Sequence, residues 1–223
     1  MIQEALIASE FVSAGLALVL VYFFVKAYRF KSSVHLLGLP IGFSFLASSF
    51  VFLGMSILYE NDVALSESFL WLRLITQSFG LAFVAFTYHF SSKEEKTATY
   101  FLGTVSLASA ASILLFLGVL VVTPPLVQLP PVNMVDEYFR IANLASLGYI
   151  IYYLFRHRAS LYTSVSHLKG VSSAFSLLWL GQCSLFIWGI DGSDGAFIFA
   201  HVVRLASLIL FISIYYLSTR GLK

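Results

Sequence analysis

Charged and polar side chains inside otherwise apolar segments are the first candidates for chemistry in this sequence. Arg73 and Gln77 lie four residues apart in one apolar run, and His201 and Arg204 lie three residues apart in another. Side chains at these spacings share one face of a helix. Because an arginine at the centre of a membrane helix costs about 2.5–3.5 kcal/mol even on insertion scales, these faces need polar or charged partners.

Glu10, in the first apolar run, adds a carboxylate to this group. Arginine and histidine donate charge-assisted hydrogen bonds, so a pocket that is shielded from water could bind an anionic or strongly polar ligand. The candidate ligand-binding residues are Glu10, Arg73, Gln77, His201 and Arg204.

A structural role is the alternative for both arginines. Each guanidinium could pair with a carboxylate on a neighbouring helix, such as Glu10, Asp136 or Glu137, or extend to the outer lipid headgroups. The sequence leaves both roles open.

Histidines near the opposite helix ends raise the question of a metal or a haem. Neutral imidazoles on adjacent helices could ligate haem iron or a transition metal, and the weak candidates are His35, His89 and His167. No Glu-x-x-His or His-x-x-x-His spacing fixes two ligands on one helix face. The sequence therefore predicts no metal site and no cofactor, and a membrane haem protein is kept only as the third functional hypothesis.

The elements that must position these residues are membrane helices. The chain of 223 residues is 59% hydrophobic and 11% charged, with a mean hydropathy of +0.90. A bilayer core about 30 Å thick needs roughly 20 apolar residues per helix, and continuous runs of this kind exclude the alternating strands of a barrel. The sequence predicts an all-α membrane protein with one domain over residues 1–223. Its seven predicted transmembrane helices are Leu6–Ala27, Val34–Leu58, Phe69–Phe90, Tyr100–Val122, Phe139–Arg156, Val171–Ile190 and Ala196–Leu217.

Charge is distributed unevenly between the two sets of helix ends. One set carries 10 of the 13 basic residues, and the other carries 9 of the 11 acidic residues. Since lysine and arginine are retained on the cytoplasmic side, we expect a multi-pass protein of the plasma membrane with its N-terminus outside and its C-terminus in the cytoplasm. The net charge of +2 does not indicate a nucleic-acid partner, whereas the basic ends suit anionic lipid.

An internal repeat relates the two halves of the chain. Residues 26–46 match residues 158–178 without gaps at an offset of 132, with eight identities in 21 positions. At an offset of 131, Arg73 stands opposite Arg204. The pattern predicts a parallel 3+1+3 repeat with an axis along the membrane normal. Its halves would cover about 1–92 and 133–223, and a linker helix would cover about 99–123.

This arrangement resembles, in topology alone, the microbial rhodopsins and the SWEET-type sugar transporters. A retinal protein needs an intramembrane lysine for its Schiff base, whereas all six lysines here lie at the predicted cytoplasmic helix ends. SWEET-type transporters carry prolines in the helices that hinge, whereas Pro40 is the only proline inside a predicted span. Retinal is therefore not predicted, and the resemblance covers the fold but not the site.

Two functional classes fit these features. The first is a ligand-binding seven-helix protein, either a sensor that signals through a partner chain or a small-solute transporter. The second is a non-catalytic integral subunit of a larger complex, in which the arginine faces pack against other membrane protein chains. No glycine-rich phosphate loop, HExxH or GxSxG motif is present in the sequence, so no enzymatic activity is predicted.

The subunit hypothesis predicts that the chain does not purify alone as a monodisperse species in mild detergent, because its packing surfaces would lack their partners. Native mass, measured together with the identities of co-purifying chains, tests this. Other chains at a fixed ratio would favour the hypothesis, and a stable isolated monomer would exclude it.

Overall fold

The structure, a computed structural model, describes residues 2–31, 38–90, 131–156 and 165–220. These residues form helices and contain no strand. The helices are α1 (Ile2–Lys31), α2 (Gly38–Leu58), α3 (Val63–Phe90), α4 (Val132–Arg156), α5 (Val165–Asp191) and α6 (Asp194–Arg220).

Five of these helices, α1, α2, α3, α5 and α6, are long and apolar enough to cross a membrane. The described part of the chain is all-helical, and its five apolar helices indicate an integral multi-pass membrane protein. The predicted fourth span, Tyr100–Val122, lies outside the described residues. By length and composition, the candidate spans are Gln3–Lys26, Gly38–Leu58, Val63–His89, Gly170–Asp191 and Asp194–Leu217.

The helix α4 is less apolar than the other five and is not among these candidate spans. It contains the predicted fifth span, Phe139–Arg156, but begins earlier, at Val132, and carries Asp136, Arg140 and Asn143. Arg140 and Asn143 are buried, and Asn143 Oδ1 accepts a 2.8 Å hydrogen bond from a serine of α3. Asn143 and Arg140 thus find partners on neighbouring helices rather than in lipid.

Short polar turns set the helix boundaries of two hairpins, α2–α3 and α5–α6. Asp62 caps α3, because its side-chain oxygen accepts a 3.1 Å hydrogen bond from the backbone N–H of Leu65. The helix α5 ends where Gly192 adopts a φ of 67°, a conformation that favours glycine. Ser193 then caps α6 by accepting a 3.4 Å hydrogen bond from the N–H of Ala196.

The described helices form a closed ring. Each helix packs against its neighbours in chain order, and α6 returns to pack against α1. In the half of the ring away from the hairpin turns, Phe211 lies 5.5 Å from Phe43 and 4.8 Å from Phe175, measured between ring centroids. The steep angles between these rings match the edge-to-face geometry that aromatic pairs prefer. This aromatic cluster fills the centre of the ring.

The contact between α2 and α3 depends on two glycines. A Cβ atom at Gly42 would lie 2.6 Å from Val84 Cγ2 and 2.8 Å from the carbonyl oxygen of Gly80. A Cβ atom at Gly80 would in turn lie 2.8 Å from the carbonyl oxygen of Gly42. Because these obstacles are largely backbone atoms, the helices would have to separate to admit a side chain. Gly38, four residues before Gly42, also packs closely against α3, because a Cβ atom there would overlap the side chain of Thr87.

We predict that Gly42→Ala and Gly80→Ala each destabilise the protein by about 1–3 kcal/mol, because the added methyl group overpacks the α2–α3 contact. The matched control is Gly15→Ala, since nothing lies within 4 Å of the added Cβ atom there. Alanine at that position should be neutral or stabilising by up to about 1 kcal/mol. Thermal unfolding in detergent measures all three, and equal midpoints for G80A and G15A would contradict the packing.

Candidate ligand-binding site

A cavity of about 560 Å³ lies between the two hairpins. The helices α1, α2, α3, α5 and α6 all contribute to its wall, and the turn between α2 and α3 contributes to its rim. Its lining combines charged, aromatic and aliphatic side chains. The lining residues are Gln3, Leu6, Leu53, Ser56, Ile57, Glu60, Ser66, Leu70, Arg73, Leu185, Trp188, Phe197, His201 and Arg204.

Glu10 of α1 is completely buried and pairs with Arg204 of α6. The Nη2 atom of Arg204 donates to Glu10 Oε1 at 2.5 Å. His201 Nδ1 lies 3.0 Å from the same carboxylate oxygen and 2.8 Å from Arg204 Nη2. A buried carboxylate without a cation would be strongly destabilising, so this pair is a structural contact between the first and the last described helix.

The buried pair keeps unused hydrogen-bonding groups. Glu10 Oε2, His201 Nε2 and Arg204 Nε are buried, and none of the three has a hydrogen-bond partner among the described residues. An unpartnered polar atom in the interior has a free-energy cost of about 1–3 kcal/mol.

Arg73 reaches the same cavity from α3, but its side chain forms no ion pair or hydrogen bond with any described residue. Asp136 of α4 exerts the largest attraction on it. That carboxylate is bound by Arg140, whose Nε donates to Asp136 Oδ2 at 2.6 Å. Arg73 is thus a half-buried cation that faces a cavity, whereas Glu10 neutralises Arg204.

Gln77 lines a separate, smaller space. This space of about 20 Å³ is shared with Gln182 and Arg204. Both glutamines are buried, and a cavity of this size can hold one water molecule. Gln77 and Arg73 share a helix face, as the spacing predicts, but their side chains line two different cavities. Arg204 lines both cavities.

An aromatic wall, which the sequence analysis did not include in the site, completes the larger cavity. The ring centroids of Trp188 and Phe197 lie 4.8 Å apart, and those of Phe197 and His201 lie 4.5 Å apart. Arg140 holds this wall in place, because its guanidinium lies 5.4 Å from the Trp188 ring centroid and donates to the carbonyl oxygen of Leu185. A tryptophan near a helix end is typical of any membrane interface, so its position gave no signal for a site.

Many residues that line the cavity correspond to one another in the sequence. Positions on α2 and α5 differ by 132, and positions on α3 and α6 differ by 131, which are the two offsets of the internal repeat. Corresponding positions of the two halves therefore surround one cavity. The five pairs are Leu53/Leu185, Ser56/Trp188, Ser66/Phe197, Leu70/His201 and Arg73/Arg204.

Comparison with known proteins does not identify this site. No protein-family model, curated protein or solved structure matches the chain. A function must therefore be derived from the geometry of the cavity.

Of the histidines considered as metal ligands, His89 is the one whose side chain the structure describes. His89 Nδ1 is 2.6 Å from the hydroxyl oxygen of Tyr149, whereas His35 and the side chain of His167 lie outside the described residues. In the described part of the chain, no three His, Cys, Asp or Glu side chains come together as a possible metal site. The haem hypothesis stays a prediction.

We predict that Glu10→Gln and Arg204→Gln each cost about 3–5 kcal/mol of unfolding free energy, because each leaves one buried charge unpaired. The double variant should cost less than the sum of the two losses. Arg73→Gln is the matched control, since it removes a guanidinium that has no ion pair with a described residue. A double-mutant cycle of unfolding in detergent measures the coupling, and equal losses for R73Q and R204Q would contradict this difference between the arginines.

Proposed function

We propose that this chain is a ligand-binding seven-helix membrane protein, which takes up a small anionic or strongly polar ligand in the cavity between the hairpins. It would act as a sensor that signals through a partner chain or as a small-solute transporter. The observation that carries the proposal is Arg73, a cation that faces a cavity of about 560 Å³ and forms no ion pair with a carboxylate of the described residues.

The chemistry of the two arginines supports this assignment. The charge of Arg204 is already neutralised by Glu10, because Arg204 Nη2 lies 2.5 Å from Glu10 Oε1. Arg204 therefore attracts a further anion only weakly. Arg73 keeps its donors, and a guanidinium binds a carboxylate or a phosphate through parallel charge-assisted hydrogen bonds. A ligand anion would supply the counter-charge that the described residues do not supply. The ligand-binding role thus belongs to Arg73, with His201 and Arg204 forming the opposite wall.

The same proposal includes the 3+1+3 repeat, with halves at about 1–92 and 133–223 and a linker helix at about 99–123. The order of the helices around the ring supports the repeat, because α1–α2–α3 and α4–α5–α6 follow one another around a common centre. The five lining pairs at offsets of 132 and 131 support it further. Phe43 and Phe175, which correspond at an offset of 132, also both contact Phe211.

The direction of ligand entry follows from the charge asymmetry. Acidic residues such as Glu60, Asp62, Asp191 and Asp194 lie at the hairpin turns, beside the cavity. Since basic ends stay in the cytoplasm, we assign the hairpin turns to the outside of the plasma membrane, together with the N-terminus. The ligand would then enter from outside. A transporter would have to open the aromatic cluster around Phe211, whereas a sensor would not.

One observation favours the alternative function, a non-catalytic integral subunit of a membrane complex. The helix α4 is the least apolar of the described helices, and it exposes Glu137 and Tyr138 at its outer end. A neighbouring chain could cover this face and shield it from lipid.

We predict that Arg73→Gln weakens binding of small carboxylates about 10- to 100-fold while the protein stays folded, because it removes charge-assisted hydrogen bonds of about 1.5–3 kcal/mol. The ligand-induced rise in unfolding temperature, measured across a panel of small carboxylates and inorganic phosphate, reports the affinity. Arg156→Gln is the matched control, as Arg156 bonds to the Tyr152 hydroxyl at the far end of α4. Unchanged binding by R73Q would contradict the proposal.

A further inference from the structure

We infer that Gln77, Gln182 and Arg204 bind one ordered water molecule in the interior of the helix ring, between α3, α5 and α6. The site is the space of about 20 Å³ that these three side chains line together. The inference goes beyond the proposed function and does not rest on it. It is carried by the burial and the unused hydrogen-bonding groups of the three residues, and by the size of the space between them.

The three polar residues that line this space are all more than nine-tenths buried. Gln77 is 6% exposed, Gln182 is 9% exposed and Arg204 is 8% exposed. The side chains of the two glutamines form no hydrogen bond with a described residue. Because a buried amide without a hydrogen bond is costly, both glutamines need a partner inside the space that they line.

The depth of the site prevents lipid from supplying that partner. Gln77 lies half way along the 28 residues of α3, a helix that is apolar and long enough to cross a membrane. At this depth the hydrocarbon core offers no hydrogen-bonding group. The other side chains around the space are all apolar, and they are Leu46, Phe50, Leu81, Leu147, Leu178 and Leu208.

The site lies between the larger cavity and the aromatic cluster at the centre of the ring. Arg204 lines both the larger cavity and this space. On the other side, three leucines of the wall are each three residues from a ring of the aromatic cluster, which is about 4.5 Å along a helix axis. These pairs are Leu46/Phe43, Leu178/Phe175 and Leu208/Phe211. The water would thus fill the centre of the ring where the aromatic packing ends.

The size of the space matches one water molecule. A cavity needs about 10–15 Å³ of such space to hold one water molecule, and a buried water typically makes about three hydrogen bonds. The space of about 20 Å³ has three polar residues in its wall, one from each of three helices. A water molecule can therefore join α3, α5 and α6.

The charges and donors around the space favour water over an anion. The contacts of Arg204 with Glu10 and His201 both use Nη2, so Glu10 already neutralises the guanidinium while Nη1 stays available as a donor. A dehydrated anion would find no further counter-charge here. Each glutamine amide offers an acceptor oxygen as well as donors, and a neutral water molecule can both donate and accept.

Hydroxyl-radical footprinting of the full chain in lipid nanodiscs tests the site. A short X-ray pulse generates radicals from a bound water in place, and these oxidise the side chains beside it. Leu81 and Leu74 of α3 form a matched pair, because they are 2% and 1% exposed but only Leu81 lines the space. We expect peptide mass spectrometry to show that Leu81 is oxidised severalfold faster than Leu74.

Two variants test whether the glutamines hold the water. Gln77→Leu and Gln182→Leu each remove one amide and keep a side chain of similar size. Either variant should lower the oxidation of Leu81 to the rate of Leu74, while slow oxidation of Leu74 confirms that the protein is folded. Gln3→Leu is the matched control, since Gln3 lines the larger cavity and not this space, and it should leave the oxidation of Leu81 unchanged.

Three results would overturn the inference. Equally slow oxidation of Leu81 and Leu74 in the wild type would show that the space is dry. Fast oxidation of Leu81 that neither Q77L nor Q182L reduces would show that the glutamines do not hold the water. An anomalous-scattering peak at this site in crystals grown with bromide would show that it binds an anion instead.

Discussion

The ion pair between Glu10 and Arg204 is the contact on which the rest of the structure depends. It joins the first described helix to the last and closes a ring in which every other helix packs against its neighbours in chain order. Neither charge could be buried alone, because the desolvation of either one would outweigh the packing around it. In the closed ring, a cavity lies between the ends of α1, α2, α3, α5 and α6.

The two arginines at corresponding positions have different surroundings. Arg204 is held by a carboxylate and a histidine of the bundle, whereas Arg73 faces the cavity with no carboxylate partner among the described residues. Asp136, the carboxylate that attracts Arg73 most strongly, is bound to Arg140. Under the proposed repeat and ligand-binding role, the same position serves architecture in one half of the chain and recognition in the other.

The sequence predicts the parts of this structure that depend on composition and periodicity. Long apolar runs predict the five membrane-spanning helices, and the offset of 131 relates the two arginines that line one cavity. The sequence cannot predict which acid pairs with which arginine, because the pairing depends on how each helix is rotated against its neighbours. For the same reason Gln77 lines a second cavity with Gln182, and Trp188, which a membrane interface alone would explain, becomes part of the wall.

Arg204 is engaged by Glu10, whereas Arg73 faces the cavity and forms no ion pair with a described residue. An arginine-specific reagent distinguishes these two environments. The protein in its native membrane would be treated with 1,2-cyclohexanedione, and modification of each arginine would be followed by peptide mass spectrometry. We expect Arg73 to be modified faster than Arg204, and Glu10→Gln to make Arg204 reactive. Equal modification of the two arginines, or faster modification of Arg204 in the wild type, would contradict this difference between them.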